Sequence, residues 1–216
     1  MIEARTIDLL RFLAVAFAFP SQERLTVMAA LANSLELGPV LCASNQEVLE
    51  IQYHRLFSGM ERCSPHETEY GPGRSVRKAV ELADIAGFYK AFGLAIDDED
   101  PEMVDHISLE FDFLAFLGFK ERYAVLKGWD DKAEICSKAY RSFWKDHCAR
   151  WVRGFLESIE KRVPTGGFYQ SLAATALQLV DCELNRLGLE AGSLDMDRTE
   201  VQVDECLGCS LGVAEK

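Results

Sequence analysis

The stretch PEMVDHISLEFDFLAFL, residues 101–117, sets Glu102, His106 and Glu110 four residues apart. On a helix this spacing stacks the three side chains along one face. Such a ladder could ligate a divalent metal as the centre of a helical metalloenzyme. It could instead form a pH-sensitive joint, or simply the acidic start of a capped helix. Di-metal sites in helical bundles draw Glu-x-x-His pairs from two helices together with further carboxylates. The chain has no Glu-x-x-His and only four histidines, at 54, 66, 106 and 147, so ligand counting weighs against metal.

Two other stretches could carry chemistry. CLGC at 206–209 pairs Cys206 with Cys209 at a spacing that can present two thiolates to zinc or form a redox couple. A structural zinc site needs four ligands, yet there is no second C-x-x-C and no histidine beyond residue 147. Cys206 and Cys209 thus remain weak metal candidates, and a metal- or redox-sensing helical protein is the alternative reading they support. GPGRS at 71–75 is glycine-rich ahead of a helix, where backbone N–H groups can hold a phosphate, but it lacks the Gly-x-x-x-x-Gly-Lys-Ser/Thr pattern. No cofactor is implied by any of these.

The elements that would position these residues are helical. Apolar residues recur at helical spacing in Ile7, Leu10, Leu13, Ala14 and Phe17, then in Leu25, Met28, Ala29, Leu31 and Ala32. Asn45 is suited to cap QEVLEIQYHRLF, with Val48, Ile51 and Leu56 as its buried positions. Residues 58–75 collect three glycines, two prolines and four serine or threonine residues, which predicts a long loop. Loops of that length in compact domains usually carry function or move. A helix resumes over 76–92 through Val80, Ile85, Phe88 and Tyr89 and ends near Gly93. After the acidic linker AIDDEDPE, Pro101 predicts a long helix from about 101 to 127. Further helices are expected over 130–161, with a break near His147, and over 168–188. Aromatic residues gather near the loop and the later helices, including Tyr53, Phe57, Tyr70, Phe88, Tyr89, Phe92, Phe111, Phe113, Phe116 and Phe119.

Composition bounds the function. With 49% hydrophobic and 27% charged residues, the 216-residue chain is that of a globular protein of one domain. Its formal charge of −12 argues against nucleic-acid binding, which depends on basic residues neutralising phosphates. It favours basic partners. No apolar run approaches the roughly 20 residues that span a bilayer, so no stable membrane insertion is expected. The N-terminal apolar run is flanked by Glu3 and Asp8 without a small-residue cleavage site and is expected to be the first core helix. Seven scattered cysteines fit reduced thiols and a cytoplasmic location. A long loop beside aromatic residues, with acidic rims, suits a groove for an apolar peptide that carries basic residues.

Four segments, in order, resemble the TorD/DmsD family of redox-enzyme maturation chaperones. LEIQYHRLF at 49–57 is similar to the family's Glu-x-x-Arg-Leu-Phe-type helix end. SPHETEY at 64–70 resembles its Pro-x-Glu-Ser-x-Tyr loop, with Thr68 in the serine place. ADIAGFYKAFGL at 83–94 is similar to its Asp-x-x-x-x-Tyr-x-x-Phe-Gly segment. EMVDHISLEFDFLAFL resembles its Glu-Pro-x-Asp-His hinge and the helix that follows, although Met103 stands where the family has proline and Pro101 lies two residues earlier.

The resemblance implies an all-α fold: a single TorD-like helical domain over 1–191, with a hinge at about 95–106 between its two helical halves, and an acidic C-terminal tail over 192–216. It implies a cytoplasmic chaperone without catalysis or cofactor. Such a protein binds the twin-arginine signal peptide, or another segment, of the catalytic subunit of a molybdopterin-containing oxidoreductase until the cofactor is inserted. Proteins of molybdenum-cofactor biosynthesis are further partners on this reading, and both monomer and homodimer are open. Carried over residue by residue, Tyr53, Leu56 and Phe57 would line the groove, Pro65, Glu67 and Tyr70 would shape the loop, and Asp105 and His106 would sit at the hinge.

Overall fold

The computed structural model describes residues 1–42, 45–58, 63–72, 74–95, 103–192 and 194, with backbone alone at 74–76. Among these residues the chain is helical, with one isolated antiparallel bridge between His66 and His106. The helices are α1 (Ala4–Phe17), α2 (Gln22–Ser34), α3 (Pro39–Cys42), α4 (Gln46–Phe57), α5 (Arg74–Ala91), α6 (Ile107–Leu126), α7 (Asp130–Phe143), α8 (Ala149–Glu160) and α9 (Phe168–Leu187).

Helix α1 buries Ile7, Leu10, Leu13, Ala14 and Phe17, the i, i+3, i+4 stripe of a core-facing helix. It lies against α6 at Gly118, where an added Cβ would stand 2.8 Å from Ile7 Cγ1. A side chain there would push the two helices apart. Phe17 of α1, Phe111 of α6 and Trp151 and Phe155 of α8 meet in the core, with ring centroids 5.4–6.3 Å apart in the Phe17–Phe155, Phe17–Phe111 and Trp151–Phe155 pairs. Offset and edge-on rings at such separations are favourable beyond their burial.

Local signals explain most helix ends. Ser21 Oγ accepts from the Arg24 amide, and Asn45 Oδ1 accepts from the Val48 amide, each satisfying a free N–H of the first turn. Helix α9 stops at Gly188, whose φ of 60° is left-handed.

Several expectations are corrected. On α4 the buried residues are Leu49, Leu56 and Phe57, whereas Val48 and Ile51 are 47% and 54% exposed. The buried face is turned by one residue because the aromatic neighbours lie on the Tyr53–Phe57 side. Val80 and Phe119 likewise face solvent. Helix α6 starts at Ile107 rather than 101, because His106 itself acts as N-cap, its Nδ1 accepting from the Ser108 amide at 3.2 Å. The helical path near His147 is not interrupted: residues Trp144–Cys148 form a π turn that joins α7 to α8. Such bulges widen one turn and re-aim its side chains. Pro101, Glu102 and the Cys206–Cys209 pair lie outside the described residues.

Candidate functional site

The segment from Ser64 to Tyr70 is fastened to the start of α6 by backbone and side chain together. Glu67 N donates to Asp105 O at 3.0 Å and Ile107 N to Pro65 O at 2.9 Å, forming the bridge that brings His66 beside His106. The buried Asp105 carboxylate then holds the loop from within. Its Oδ2 accepts from the Thr68 hydroxyl at 2.6 Å and from the Thr68 amide at 3.2 Å, while Oδ1 lies 3.1 Å from His66 Nδ1. Burial pushes this carboxyl upward, but the hydrogen bonds and charge of His66 and the bonds from Thr68 outweigh it, so Asp105 titrates below the usual range. Tyr70 closes the far end by donating to Ser64 O at 2.8 Å, with its ring 5.0 Å from Trp151. Tyr89 of α5 donates to Val104 O at 2.9 Å and so ties α5 to the same joint.

A cleft of about 480 Å³ opens between α4 and this clamped loop. Phe19, Tyr53, Phe57, Pro65, Met103 and His106 line it together with the buried Glu69 and with Lys78. The aromatic wall is continuous, since Tyr53 meets Phe57 at 4.8 Å and Phe19 at 5.4 Å between ring centroids. His106 Nδ1 accepts from the Ser108 amide and lies 2.6 Å from the Ser108 hydroxyl, while its Nε2 faces Tyr53 Oη at 3.4 Å. Glu69, 5% exposed, has its Oε1 3.9 Å from Lys78 Nζ.

Beneath the loop lies a buried charge network. Glu67 is 2% exposed, with Oε2 at 3.0 Å from His147 Nδ1 and Oε1 at 3.5 Å from the Arg150 guanidinium. Arg150 also reaches Glu81 at 3.2 Å, and His147 Nε2 lies 3.4 Å from Asp84. The fully buried Glu110 accepts from Trp151 Nε1 and Cys148 Sγ, both at 3.3 Å. Burial, and then the negative charge of Glu67, push Glu110 well above the usual carboxylate range. The Cys148 thiol is raised in the same way by burial and by Glu110, so it is not an activated nucleophile.

The carried-over residues therefore separate by position. Tyr53, Phe57, Pro65 and His106 line the cleft; Glu67, Tyr70 and Asp105 lie buried behind it and hold its wall. Leu56 faces the other side of α4, into a larger cleft of about 910 Å³. Glu110 and His106 do not converge, because each is engaged by different neighbours, and among the described residues no three His, Cys, Asp or Glu side chains are grouped to hold a metal. Sequence reasoning missed Phe19, His66, Lys78 and Met103 as lining, and Arg150 with His147 as partners of Glu67. His66 and Met103, inside the quoted loop and hinge motifs, carried a local signal; the others are brought in by tertiary packing.

The family described as nitrate reductase delta subunit matches residues 22–157. The chain is 31% identical over 182 residues to the chlorate reductase assembly chaperone protein of Ideonella dechloratans, covering 82% of this chain and 88% of that one. It is 30% identical over 185 residues to the selenate reductase assembly chaperone protein of Thauera selenatis, covering 84% and 89%. In structure it is similar to a candidate redox enzyme maturation protein from Archaeoglobus fulgidus, with a TM-score of 0.54 and 19% identity over 84% of this chain and 96% of that one, a likeness of fold. No described helix is long and apolar enough to cross a membrane. By sequence and fold together, the chain belongs to the nitrate reductase delta subunit family, the TorD/DmsD type of redox-enzyme maturation chaperones.

Proposed function

We propose that this protein is a non-catalytic cytoplasmic chaperone for a molybdopterin-containing oxidoreductase, and that the cleft between α4 and the 64–70 loop holds the client's twin-arginine signal peptide until cofactor insertion is complete. The observation that carries this reading is the aromatic wall of Phe19, Tyr53 and Phe57 facing Pro65, Met103 and His106. An apolar signal core needs such a surface, and an extended or helical segment can lay alternate or successive side chains along it. The net charge of −12, with Glu69 in the lining of the cleft, favours the approach of an arginine pair. The relatives named as chlorate and selenate reductase assembly chaperones point to an oxidoreductase of related kind as client. Proteins of molybdenum-cofactor biosynthesis would meet the same complex.

The affinity this cleft supports is modest. A cleft of about 480 Å³ leaves the peptide able to depart before export. Isothermal titration of the purified protein with the signal peptide of the oxidoreductase encoded beside its gene tests the reading. Saturable binding, weakened when the arginine pair is replaced by alanines, is the expected result. Absence of binding to that peptide would contradict it.

A further inference from the structure

At the end of α6 farthest from the signal-peptide cleft, roughly 30 Å along the helix, apolar side chains face solvent. Phe119, Tyr123 and Trp129 are the only exposed aromatic residues among the described ones, and Val125 and Leu126 are exposed beside them. Phe119 stacks on Tyr123 with ring centroids 6.4 Å apart, and Tyr123 meets Trp129 edge-on at 5.9 Å, so the three form one ridge. Gly128, at a left-handed φ of 68°, turns the chain so that the Trp129 amide donates to Ala124 O at 2.9 Å. This fastens Trp129 at the corner between α6 and α7. Lys132 Nζ lies 4.0 Å from the centre of the Trp129 ring, and Lys127 Nζ lies 5.5 Å from that of Tyr123. Beside the ridge, a recess of about 190 Å³ is lined by Ala4, Ile7 and Asp8 of α1 and by Phe119, Tyr123 and Leu126 of α6. Arg122 also stands on it, its Nη1 donating to Ile2 O at 3.3 Å. Asp8, partly buried there, makes no ion pair among the described residues, and neither does Lys132.

We propose that this ridge and recess form the interface of a homodimer, in which Trp129 of each copy enters the recess of the other. An interface repeated by a two-fold axis must carry its own complement. Here a projecting ring and a hollow lie side by side on one surface. A cavity of about 150 Å³ accommodates a benzene ring, so the recess has room for an aromatic side chain. The charges match in the same pairing: Lys132, carried on the Trp129 ring, is brought to the partner's unpaired Asp8, and Asp130 and Asp131 at the same corner are brought to the partner's Arg122. Net charge points to a second copy as well. Residues 119–135 hold Lys120, Arg122, Lys127 and Lys132 against Glu121, Asp130, Asp131 and Glu134, a neutral stretch in a chain of −12. Two such chains repel, and a neutral face of alternating sign is where they approach with least repulsion. Tryptophan, tyrosine and arginine at the centre of a contact supply most of its binding energy. Because this face lies at the far end of α6, both signal-peptide clefts stay open in the dimer.

Sedimentation equilibrium of the full chain over a wide range of concentrations tests this. A reversible monomer–dimer equilibrium is expected, and Trp129→Ala should weaken it by about tenfold or more. Asp8→Lys and Lys132→Asp should each weaken it, whereas the two together should restore it, because each new charge then meets its opposite in the other copy. That recovery separates a broken contact from a broken fold. Asp8→Lys should leave the affinity for the client's signal peptide unchanged, so failure here and failure of the proposed function are told apart. A chain that stays monomeric at every concentration would overturn the proposal. So would a dimer indifferent to Trp129→Ala, which would pair through another face or by exchange of helices, or a double variant no better than either single one. If Trp129→Ala instead releases the client enzyme from a monomeric chaperone, the face belongs to the client and the proposal falls.

Discussion

Asp105 accepts a 2.6 Å hydrogen bond from the Thr68 hydroxyl, joining two points 37 residues apart in sequence. With the amide of the same threonine and the His66 ring, this buried carboxylate fixes the loop that forms one wall of the aromatic cleft. It is a positioning group, since the cleft is lined by Pro65 and His106 on either side of it and not by Asp105.

Asp105→Asn removes the charge from these bonds at nearly constant shape. Bonds to a charged group contribute about 1.5–3 kcal/mol, and for a chain of this size each kcal/mol moves Tm by about 2–4 °C. Thermal unfolding at pH 7 should therefore show a fall in Tm of about 3–12 °C. The folded pKa lies below that of the unfolded chain, so the stabilisation is complete above the unfolded value of about 3.9 and is lost as pH falls through the folded one. As pH falls below 4 through the folded value the gap between the two proteins should narrow progressively; a gap that does not narrow would contradict this account.

Glu110 has the opposite sign. Its folded pKa is raised, so above the unfolded value the unfolded chain releases a proton that the folded chain retains. Stability then declines with rising pH, by up to about 1.4 kcal/mol per pH unit for this one group, until the folded pKa is reached. Glu110→Gln can still accept from Trp151 and Cys148 and has no proton to lose. Urea unfolding of both proteins between pH 5 and 8 should show the Gln variant gaining on the wild type as pH rises. Parallel profiles would mean that Glu110 is ionised in its buried site.

Gly118→Ala places a methyl group 2.8 Å from Ile7 Cγ1 at the α1–α6 crossing. Overpacking of this kind costs about 1–3 kcal/mol. Chemical denaturation should show that loss, and pairing it with Ile7→Ala, which removes Cγ1, should cost less than the sum of the two single substitutions. A stabilised Gly118→Ala, the usual effect of replacing glycine in a helix, would show that the crossing is loose.

Tyr53→Phe keeps the aromatic wall and deletes only the hydroxyl facing His106 Nε2. Global stability should change by less than about 1 kcal/mol, whereas signal-peptide affinity should fall severalfold as His106 loses the group that orients it. Denaturation and calorimetry on the same sample separate the two effects.

Much of this was legible in the sequence because local chemistry determined it. The stripe of Ile7, Leu10, Leu13, Ala14 and Phe17, the Asn45 cap and the Gly188 stop each follow from neighbouring residues. The start of α6 was not, because Pro101 offered an earlier first turn while the Asp105–Thr68 clamp, visible only across the fold, holds 103–106 out of the helix. Glu67 was expected to shape the loop, but its partners His147 and Arg150 lie some eighty residues on and meet it through the π turn, which leaves no sequence signal. The exposure of Val48, Ile51 and Val80 shows the same limit, since a helical stripe gives the period of burial but not which edge faces the core.

The central claim is that the signal peptide lies in the cleft beside Met103 and not in the larger cleft beside Gln170. Photo-crosslinking tests it directly: a photoreactive amino acid is placed at Met103, which is 42% exposed, or at Gln170, and each protein is irradiated with the client's signal peptide. Crosslinking from position 103, suppressed by excess unlabelled peptide and absent from position 170, is the predicted result. Crosslinking from 170 with none from 103 would contradict it.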